Sequence, residues 1–213
     1  MSSLVPLYID GALLVVDKPA GLLSVPGRGP DKADCVAARL RAQYPDAQIV
    51  HRLDMDTSGL MLMARGPVAQ RALSHAFAAR AVKKRYVAWV AGRLASPEPE
   101  WGTIELPLIC DWPNRPRQKV DVEQGKPSVT RWRVLGYDAA WDATRVELEP
   151  VTGRSHQLRV HLRELGHPIL GDPLYAPDAI RMQAPRLLLH AASLDVPHPI
   201  TGAACAFESP PPF

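Results

Sequence analysis

Residues 49–64 read IVHRLDMDTSGLMLMA, and this stretch decides how the chain is built around its polar centre. Apolar Ile49-Val50 and the run at residues 60–64 enclose a polar segment that ends in Thr57-Ser58-Gly59. Short apolar runs bounded by turn-forming residues are typical of buried strands, and Ser and Gly favour turns. The stretch therefore predicts a polar loop around Asp54 between two buried segments.

Further elements are predicted on both sides of this loop from apolar periodicity and from turn and cap signals. Upstream, the sequence predicts a buried strand at residues 12–17 and a helix that Asp34 caps and that ends before Pro45. The Pro-rich residues 96–127 should form short strands and loops. Downstream we predict helices at 67–81 and from 153 to 165, and strands at 86–90, 129–135, 144–148, 187–194 and 203–207.

Length and composition favour one domain over residues 1–213, either a single body or two closely fused lobes, with residues 209–213 as a tail. The chain has 213 residues, of which 46% are hydrophobic. No apolar run approaches the roughly 18 residues that a membrane-spanning helix needs. The start, MSSLVPLYID, lacks the basic residues of a secretory signal. We therefore expect a cytoplasmic protein that does not contact a membrane.

The number and spacing of the cysteines argue against disulfide bonds and thiolate metal sites, whereas the net charge excludes no class of function. Cys35, Cys110 and Cys205 are odd in number and far apart, so we expect buried thiols. The net charge of +3 and the isoelectric point near 8.9 permit a polyanionic partner without requiring one.

A metal site is not supported by the spacing of acids and histidines. Asp54 and Asp56 would share one face of an extended segment, but no further carboxylates lie nearby in sequence, so we interpret Asp56 as a turn residue that bonds its own backbone. His156 and His161 are five positions apart, which places them on different faces of a helix or a strand. We therefore expect neither a bound metal nor a zinc centre.

Three ordered motifs resemble the signature motifs of RluA-type pseudouridine synthases. This resemblance implies an α+β fold, with a central, mixed but largely antiparallel sheet split into two lobes that flank an RNA-binding cleft. It also implies that the accessory RNA-binding domain of many relatives is absent, because the shared segments begin close to Met1. The matching segments are His-Arg-Leu-Asp-x-x-Thr-Ser-Gly at 51–59, Lys-Arg-Tyr-x-Ala at 84–88 and Gly-Arg-Ser-His-Gln-Leu-Arg-Val-His at 153–161, with further similarity at 18–22, 166–173 and 187–191.

The implied reaction converts uridine to pseudouridine, and it explains why a carboxylate is needed. The bond from ribose to N1 of uracil breaks, the base turns, and a bond to C5 forms, so no atoms or electrons enter or leave and no cofactor is required. A carboxylate can serve as nucleophile or base. The resemblance gives this role to Asp54. Whether Asp54 attacks the anomeric carbon or C6, or removes a ribose proton, stays open.

The resemblance also assigns roles to residues around Asp54. Arg154 would keep the carboxylate charged through a bidentate pair, and Tyr86 would stack on the uracil as a second catalytic residue. Arg52 would occupy the space that the flipped uridine vacates. His51 and His156 are expected to be structural hydrogen-bonding residues beside the site, and residues 187–189 are expected to be core. The predicted substrate-binding positions are Arg52, His51, Thr57, Lys84, Arg85 and Leu189.

The expected partner is RNA. Residues 106–118 resemble the member of the family associated with both 23S rRNA and tRNA anticodon stem-loops, and we expect a monomer without an obligatory protein partner. Two alternatives remain: a non-catalytic RNA-binding protein, and a glycosidase, although a glycosidase would usually need a second acid opposite Asp54.

Overall fold

A computed structural model describes residues 4–29, 32–98 and 100–213, which form two compact units. The first contains the chain up to Lys84 together with His190–Pro212. The second contains Arg85–Leu189 together with Phe213. Both units lie within residues 1–213, which the sequence predicts to form one domain. Both units also combine helices with mostly antiparallel strands, and this confirms the predicted α+β class.

The first unit is built on a mixed set of strands. Its elements are β1 (Tyr8–Ile9), β2 (Leu13–Lys18), α1 (Val36–Arg41), β3 (Ala47–Ile49), β4 (Ser58–Arg65), α2 (Gly66–Ala78), the start of β5 (Lys83–Ala91), β11 (Leu189–Pro197) and β12 (Ala204–Glu208). The strands lie in the order β1-β2-β4-β11, while β3 pairs with β4 and β12 pairs with β11. The β4 and β11 pair is parallel, and the other pairs are antiparallel.

The core of the first unit forms around β4. Residues 60–64 are at most 1% exposed, so both faces of this strand are covered. A strand covered on both faces loses the alternation of apolar and polar residues, which explains the continuous apolar sequence. Helix α2 packs Ala69 and Leu73 into the same cluster. The predicted strand at 60–64 and the predicted helix at 67–81 are confirmed, although α2 ends at Ala78.

The second unit is built on an antiparallel set of strands. Besides β5, its elements are β6 (Gly102–Glu105), β7 (Leu108–Cys110), a 3-10 turn (Trp112–Asn114), β8 (Gln118–Val120), β9 (Val129–Asp138), β10 (Ala143–Pro150), α3 (Gln157–Glu164) and α4 (Asp178–Arg181). The main strands lie in the order β5-β10-β9-β6, and a separate two-stranded sheet joins β7 to β8. The inner face of the main set packs Ala88, Leu148 and Trp132 against Leu158 and Leu162 of α3.

The predicted cap of the first helix is wrong by one residue. Cys35, not Asp34, precedes α1, and its Sγ accepts the backbone N–H of Ala38 at 3.3 Å. A capping side chain must reach the second or third helical N–H, which Cys35 does from this position. Asp34 instead forms an ion pair with Arg39, at 2.6 Å.

Two further predictions, that all three thiols are buried and that residues 209–213 form a tail, need correction. Of the three thiols only Cys35 is fully buried, while Cys110 and Cys205 are partly exposed. Residues 209–213, predicted as a tail, lie outside the strands but are not loose: Ser209 is 4% exposed and donates to Asp17 at 2.5 Å, and Phe213 packs into an apolar cluster of the second unit.

Candidate active site

In the first unit, the loop that carries Asp54 is held by a buried lysine. The Lys18 side chain is 0% exposed, and its ammonium donates to the carbonyl oxygens of Pro19, Leu22 and Met55 at 2.8 to 2.9 Å. Met55 directly follows Asp54, so this cation fixes the backbone next to the carboxylate. A buried ammonium is tolerated only when its donors are satisfied, and these carbonyls satisfy them.

Two more contacts fix the same loop from neighbouring segments. Ser24 Oγ donates to the Leu53 carbonyl at 2.7 Å and accepts the Leu53 N–H at 3.0 Å. The N–H of Thr57 closes a turn onto the Asp54 carbonyl at 3.2 Å. Gly59, where φ is +109°, ends the loop: a Cβ there would lie 2.4 Å from the Ala191 carbonyl oxygen, so only glycine fits.

Replacing Lys18 tests whether this anchoring matters. Lys18→Met keeps the length of the side chain but removes a donor from three carbonyls, of which that of Met55 still accepts the Gly21 N–H at 2.9 Å, and we expect it to lower the free energy of unfolding by about 2 to 3 kcal/mol. The matched control is Lys83→Met, because Lys83 is exposed. Urea-induced unfolding of both variants measures the difference. Equal stability of the two variants would show that Lys18 is not an anchor.

Three predicted residues of this loop differ in exposure. Asp54 is partly exposed and Thr57 is buried, and the predicted contact of Thr57 with the substrate stays a prediction. Arg52 is exposed and forms no hydrogen bond or ion pair within the described parts of the chain. Asp56 lies in the predicted turn, but across residues 4–29, 32–98 and 100–213 its side chain makes no hydrogen bond, so the expected bond to its own backbone is wrong.

His51 makes structural contacts, as the sequence predicts, while its predicted contact with the substrate stays a prediction. Its Nε2 accepts the N–H of Leu62 in β4 at 2.9 Å, and its ring stacks on Phe77 with centroids 4.7 Å apart. Burial, together with the nearby charge of Lys84, lowers the pKa of His51 to about 3. The ring is therefore neutral at physiological pH, with its proton on Nδ1, and it pins the start of the loop to the core.

Lys84 is the last residue of the first unit before Arg85 begins the second one, and few groups of the protein compensate the charge of its ammonium. Burial lowers the pKa of its ammonium, and the side chain forms no ion pair with any residue that the structure describes. An ammonium in this situation is stabilised when an anion approaches it. The predicted contact to a phosphate stays a prediction.

In the second unit, β5 sends two predicted site residues to opposite faces. Tyr86 packs against the apolar cluster that contains Leu158 and the buried Leu189. Neighbouring Arg85 points the other way, as alternation along a strand requires. The Arg85 guanidinium lies 3.2 Å from Glu147 and 4.9 Å from the ring centroid of Trp101. Arg85 is thus already engaged by a carboxylate.

The two arginines of the 153–161 motif are in different environments. Arg154 is exposed, and its guanidinium reaches the Pro127 carbonyl at 3.4 to 3.5 Å. Arg159 is 2% exposed and forms a bidentate pair with the buried carboxylate of Asp172 at 2.6 and 2.8 Å. Sequence reasoning missed this pair, although both residues lie in segments that carry the family resemblance. The role of Arg154 in supporting Asp54 stays a prediction.

The motif itself is fixed by Gln157, which begins α3. Its Oε1 accepts the Arg154 N–H at 3.0 Å and the Thr152 hydroxyl at 2.7 Å, and its Nε2 donates to the Val129 carbonyl at 3.0 Å. The residue before it, His156, is left-handed with φ of 54°. The helix therefore begins at 157 rather than at Arg154, because this turn separates the two.

The remaining histidines of the motif are also structural. His156 Nδ1 shares a hydrogen bond of 2.6 Å with the Tyr175 hydroxyl. Burial lowers the pKa of His161, whose ring bonds Thr130 at 2.9 Å and the Leu106 carbonyl at 3.1 Å. Both rings are thus engaged by groups of the second unit, and the absence of a catalytic histidine stays a prediction.

Across residues 4–29, 32–98 and 100–213, no three His, Cys, Asp or Glu side chains are grouped closely enough to hold a metal ion. Over the same residues, no helix combines the length and the apolar character that crossing a bilayer requires.

Comparison with known proteins places these motifs in a family. Residues 12–164 match the RNA pseudouridylate synthase family model. The chain is 53% identical over 210 residues to the dual-specificity RNA pseudouridine synthase RluA of Escherichia coli strain K12, covering 99% of this chain and 94% of the relative. It is 50% identical over 205 residues to the protein of the same name from Yersinia pestis, covering 96% and 98% of the two chains.

Solved structures support the same assignment. Human RNA Pseudouridylate Synthase Domain Containing 1 is 30% identical and superimposes with a TM-score of 0.81 over 99% of this chain and 84% of the human chain. Human RNA Pseudouridylate Synthase Domain Containing 4, at 24% identity and a TM-score of 0.76 over 97% and 88%, shares the fold. The chain therefore belongs to the RNA pseudouridylate synthase family, the isomerases that convert uridine in RNA to pseudouridine.

Proposed function

We propose that this protein isomerises specific uridines in structured RNA, with Asp54 as the catalytic carboxylate. The observation that carries the proposal is the anchoring of the Asp54 loop by Lys18 and Ser24, within the part of the chain that matches the family model. A reactive group must be held in a fixed position by its surroundings. The contacts from Lys18 to Met55 and from Ser24 to Leu53 hold the backbone on both sides of Asp54.

The proposed reaction is balanced within the uridine. The bond between the anomeric carbon and N1 breaks, the bond between the anomeric carbon and C5 forms, C5 loses its hydrogen and N1 gains one. Asp54 contributes a carboxylate that attacks or removes a proton, and it returns unchanged. No oxidant, reductant or donated group enters the reaction.

Arg52 is proposed to hold the RNA open. Extrusion of a base costs a few kcal/mol, and a planar guanidinium can offset part of this by filling the vacated stack. The exposure of Arg52 and its lack of an ion pair within the described residues leave it available for this contact. Lys84, which needs a compensating anion, is proposed to contact a phosphate next to the flipped nucleotide.

Three residues of the second unit are proposed to contact the RNA substrate. Tyr86 would offer its ring to the uracil, backed by the apolar cluster that includes Leu189. Arg154 would supply a cation, for which its exposure leaves it accessible. Arg85 would have to exchange its contact with Glu147 for a phosphate, so we expect it to contribute least to binding.

We further propose that both a tRNA anticodon stem-loop and 23S rRNA are substrates, that the protein acts in the cytoplasm as a monomer, and that it needs no partner protein. The support is that relatives at 50 to 53% identity are named dual-specificity RNA pseudouridine synthases. The substrates would be bound largely through phosphates, since Arg and Lys contacts to the backbone dominate RNA affinity.

A direct assay tests the proposed substrates. Purified protein is incubated with a transcribed anticodon stem-loop or a 23S rRNA fragment in the presence of a chelator, and pseudouridine is then detected chemically. We expect product on both RNAs, and weaker binding as the salt concentration rises. Product on neither RNA would contradict the proposal. Activity that disappears in chelator and returns with magnesium would instead indicate a metal-dependent enzyme.

A further inference from the structure

The second unit carries a hairpin, residues 107–126, that the proposed chemistry at Asp54 does not use. We call it the Trp112 arm. Its strands β7 and β8 pair with each other in a sheet of their own. Between them, residues 112–117 are all exposed. A conspicuous exposed segment on an enzyme of folded RNA is a candidate contact surface.

The arm presents an aromatic platform. Trp112 is 65% exposed, so most of its indole contacts solvent. The Arg115 guanidinium lies 4.7 Å from the centroid of the indole ring and gives this platform a positive charge. Exposed aromatic rings with a neighbouring cation bind unpaired nucleotides well, because every base has a face that stacks.

The charge around Trp112 is also suited to a polyanion. Arg115, Arg117 and Lys119 lie between two acidic residues, Asp111 and Asp121, so the segment carries a net positive charge. Neither arginine forms an ion pair within the parts of the chain that the structure describes, whereas Lys119 lies 3.7 Å from Asp121. Two guanidinium groups are therefore available to phosphates on either side of a stacked base.

The tip of the arm is rigid before any partner binds. Asn114 N–H donates to the Asp111 carbonyl, Arg117 N–H to the Asn114 carbonyl and Asp111 N–H to the Arg117 carbonyl, each at 3.0 Å. Pro113 and Pro116 restrict the backbone further. A preorganised tip loses little conformational entropy when it binds, which favours affinity.

The base of the arm is tied to the 153–161 motif within the same unit. The Gln118 N–H donates to the Tyr175 hydroxyl at 2.8 Å, and this hydroxyl bonds His156 Nδ1 at 2.6 Å. Arg154 reaches the Pro127 carbonyl immediately after the arm. Tyr175 thus fixes the position of the arm relative to the motif.

We propose that the Trp112 arm is a second RNA-contacting surface, on which an unpaired base outside the reacting uridine stacks on Trp112 while Arg115 and Arg117 contact its phosphates. The proposal rests on the assignment of this chain as an RNA-modifying enzyme. It concerns binding, whereas the role of Asp54 concerns turnover, so either can fail without the other.

The test compares RNA affinity across matched variants. With a transcribed anticodon stem-loop as the probe, we expect Trp112→Ala to raise the dissociation constant by about 5- to 100-fold. Arg117→Ala should make the logarithmic dependence of affinity on salt shallower by about one unit. Binding should also quench tryptophan fluorescence in the parent, and this quenching should be reduced in Trp112→Phe.

The controls are a second exposed tryptophan and a second exposed Arg–aromatic pair of the same unit. Trp141 is 48% exposed and contacts Trp89, and Arg93 lies 4.9 Å from the Tyr137 ring centroid. Trp141→Ala and Arg93→Ala should bind like the parent. Unchanged affinity of Trp112→Ala, with its melting temperature preserved, would overturn the proposal and leave the arm to a protein partner. Equal weakening in the control variants would overturn it in favour of general charge attraction.

Discussion

Asp54→Asn is expected to lower the single-turnover rate of pseudouridine formation by about 10⁴-fold or more, because removal of a single essential catalytic group has effects of this size. The substitution keeps the shape of the side chain and removes its negative charge. The contacts that fix the loop use the backbone of Leu53 and Met55 and are retained. The variant should therefore fold normally and bind the RNA.

Asp56→Asn is the matched control for this prediction. Asp56 lies two positions away in the same loop, and its substitution makes the same change of charge. We expect it to turn over within about threefold of the parent, because Asp56 makes no hydrogen bond within the described residues that the substitution would remove. Similar losses in the two variants would mean that general loop electrostatics, rather than one carboxylate, supports the reaction.

Arg159→Met is expected to lower the free energy of unfolding by about 3 to 5 kcal/mol, since it leaves the buried carboxylate of Asp172 without its cation. Asp172 is 0% exposed and also accepts the N–H groups of Leu174 and Tyr175, so its negative charge has no route to solvent. Urea-induced unfolding, followed through tryptophan fluorescence, measures the loss in this unit, because all five tryptophans lie within Arg85–Leu189.

Two further variants show whether the expected loss of stability comes from breaking the ion pair or from removing any arginine. Arg154→Met removes an exposed guanidinium and should change stability by less than about 1 kcal/mol. The double variant Arg159→Met with Asp172→Asn removes both charges, keeps an Oδ1 acceptor for the N–H groups of Leu174 and Tyr175, and should recover much of the stability that the single variant loses. A double variant no more stable than Arg159→Met would show that packing, rather than an unpaired charge, causes the loss.

The sequence was sufficient for the elements whose patterns are local. The continuous apolar run at 60–64 predicted the buried strand β4, and the helical spacing of Ala69 and Leu73 predicted α2. The 51–59 loop was recognised because polar, turn-forming residues interrupt two apolar runs. Each of these signals depends on neighbours in the sequence, and burial in the structure agrees with it.

What the sequence could not supply were contacts between distant segments. Lys18 and Met55 are 37 positions apart, and no local pattern indicates that a lysine will be buried under a loop. Arg154 and Arg159 look equivalent in the motif, yet one is exposed and the other is buried against Asp172. The sequence predicted Asp34 as the cap because Asp is the more common capping residue. In the structure the Asp34 carboxylate pairs with Arg39 instead, and Cys35 caps the helix.

Release of tritium from RNA labelled at C5 of uridine tests the central claim most directly, because C5 loses its hydrogen only when the new bond to ribose forms. The RNA is a transcribed anticodon stem-loop, the buffer contains a chelator, and the parent and Asp54→Asn are compared at equal RNA occupancy. We predict release of one tritium per pseudouridine formed by the parent and no release above background by Asp54→Asn. Release by the variant at a rate near that of the parent would contradict the assignment of Asp54 as the catalytic carboxylate.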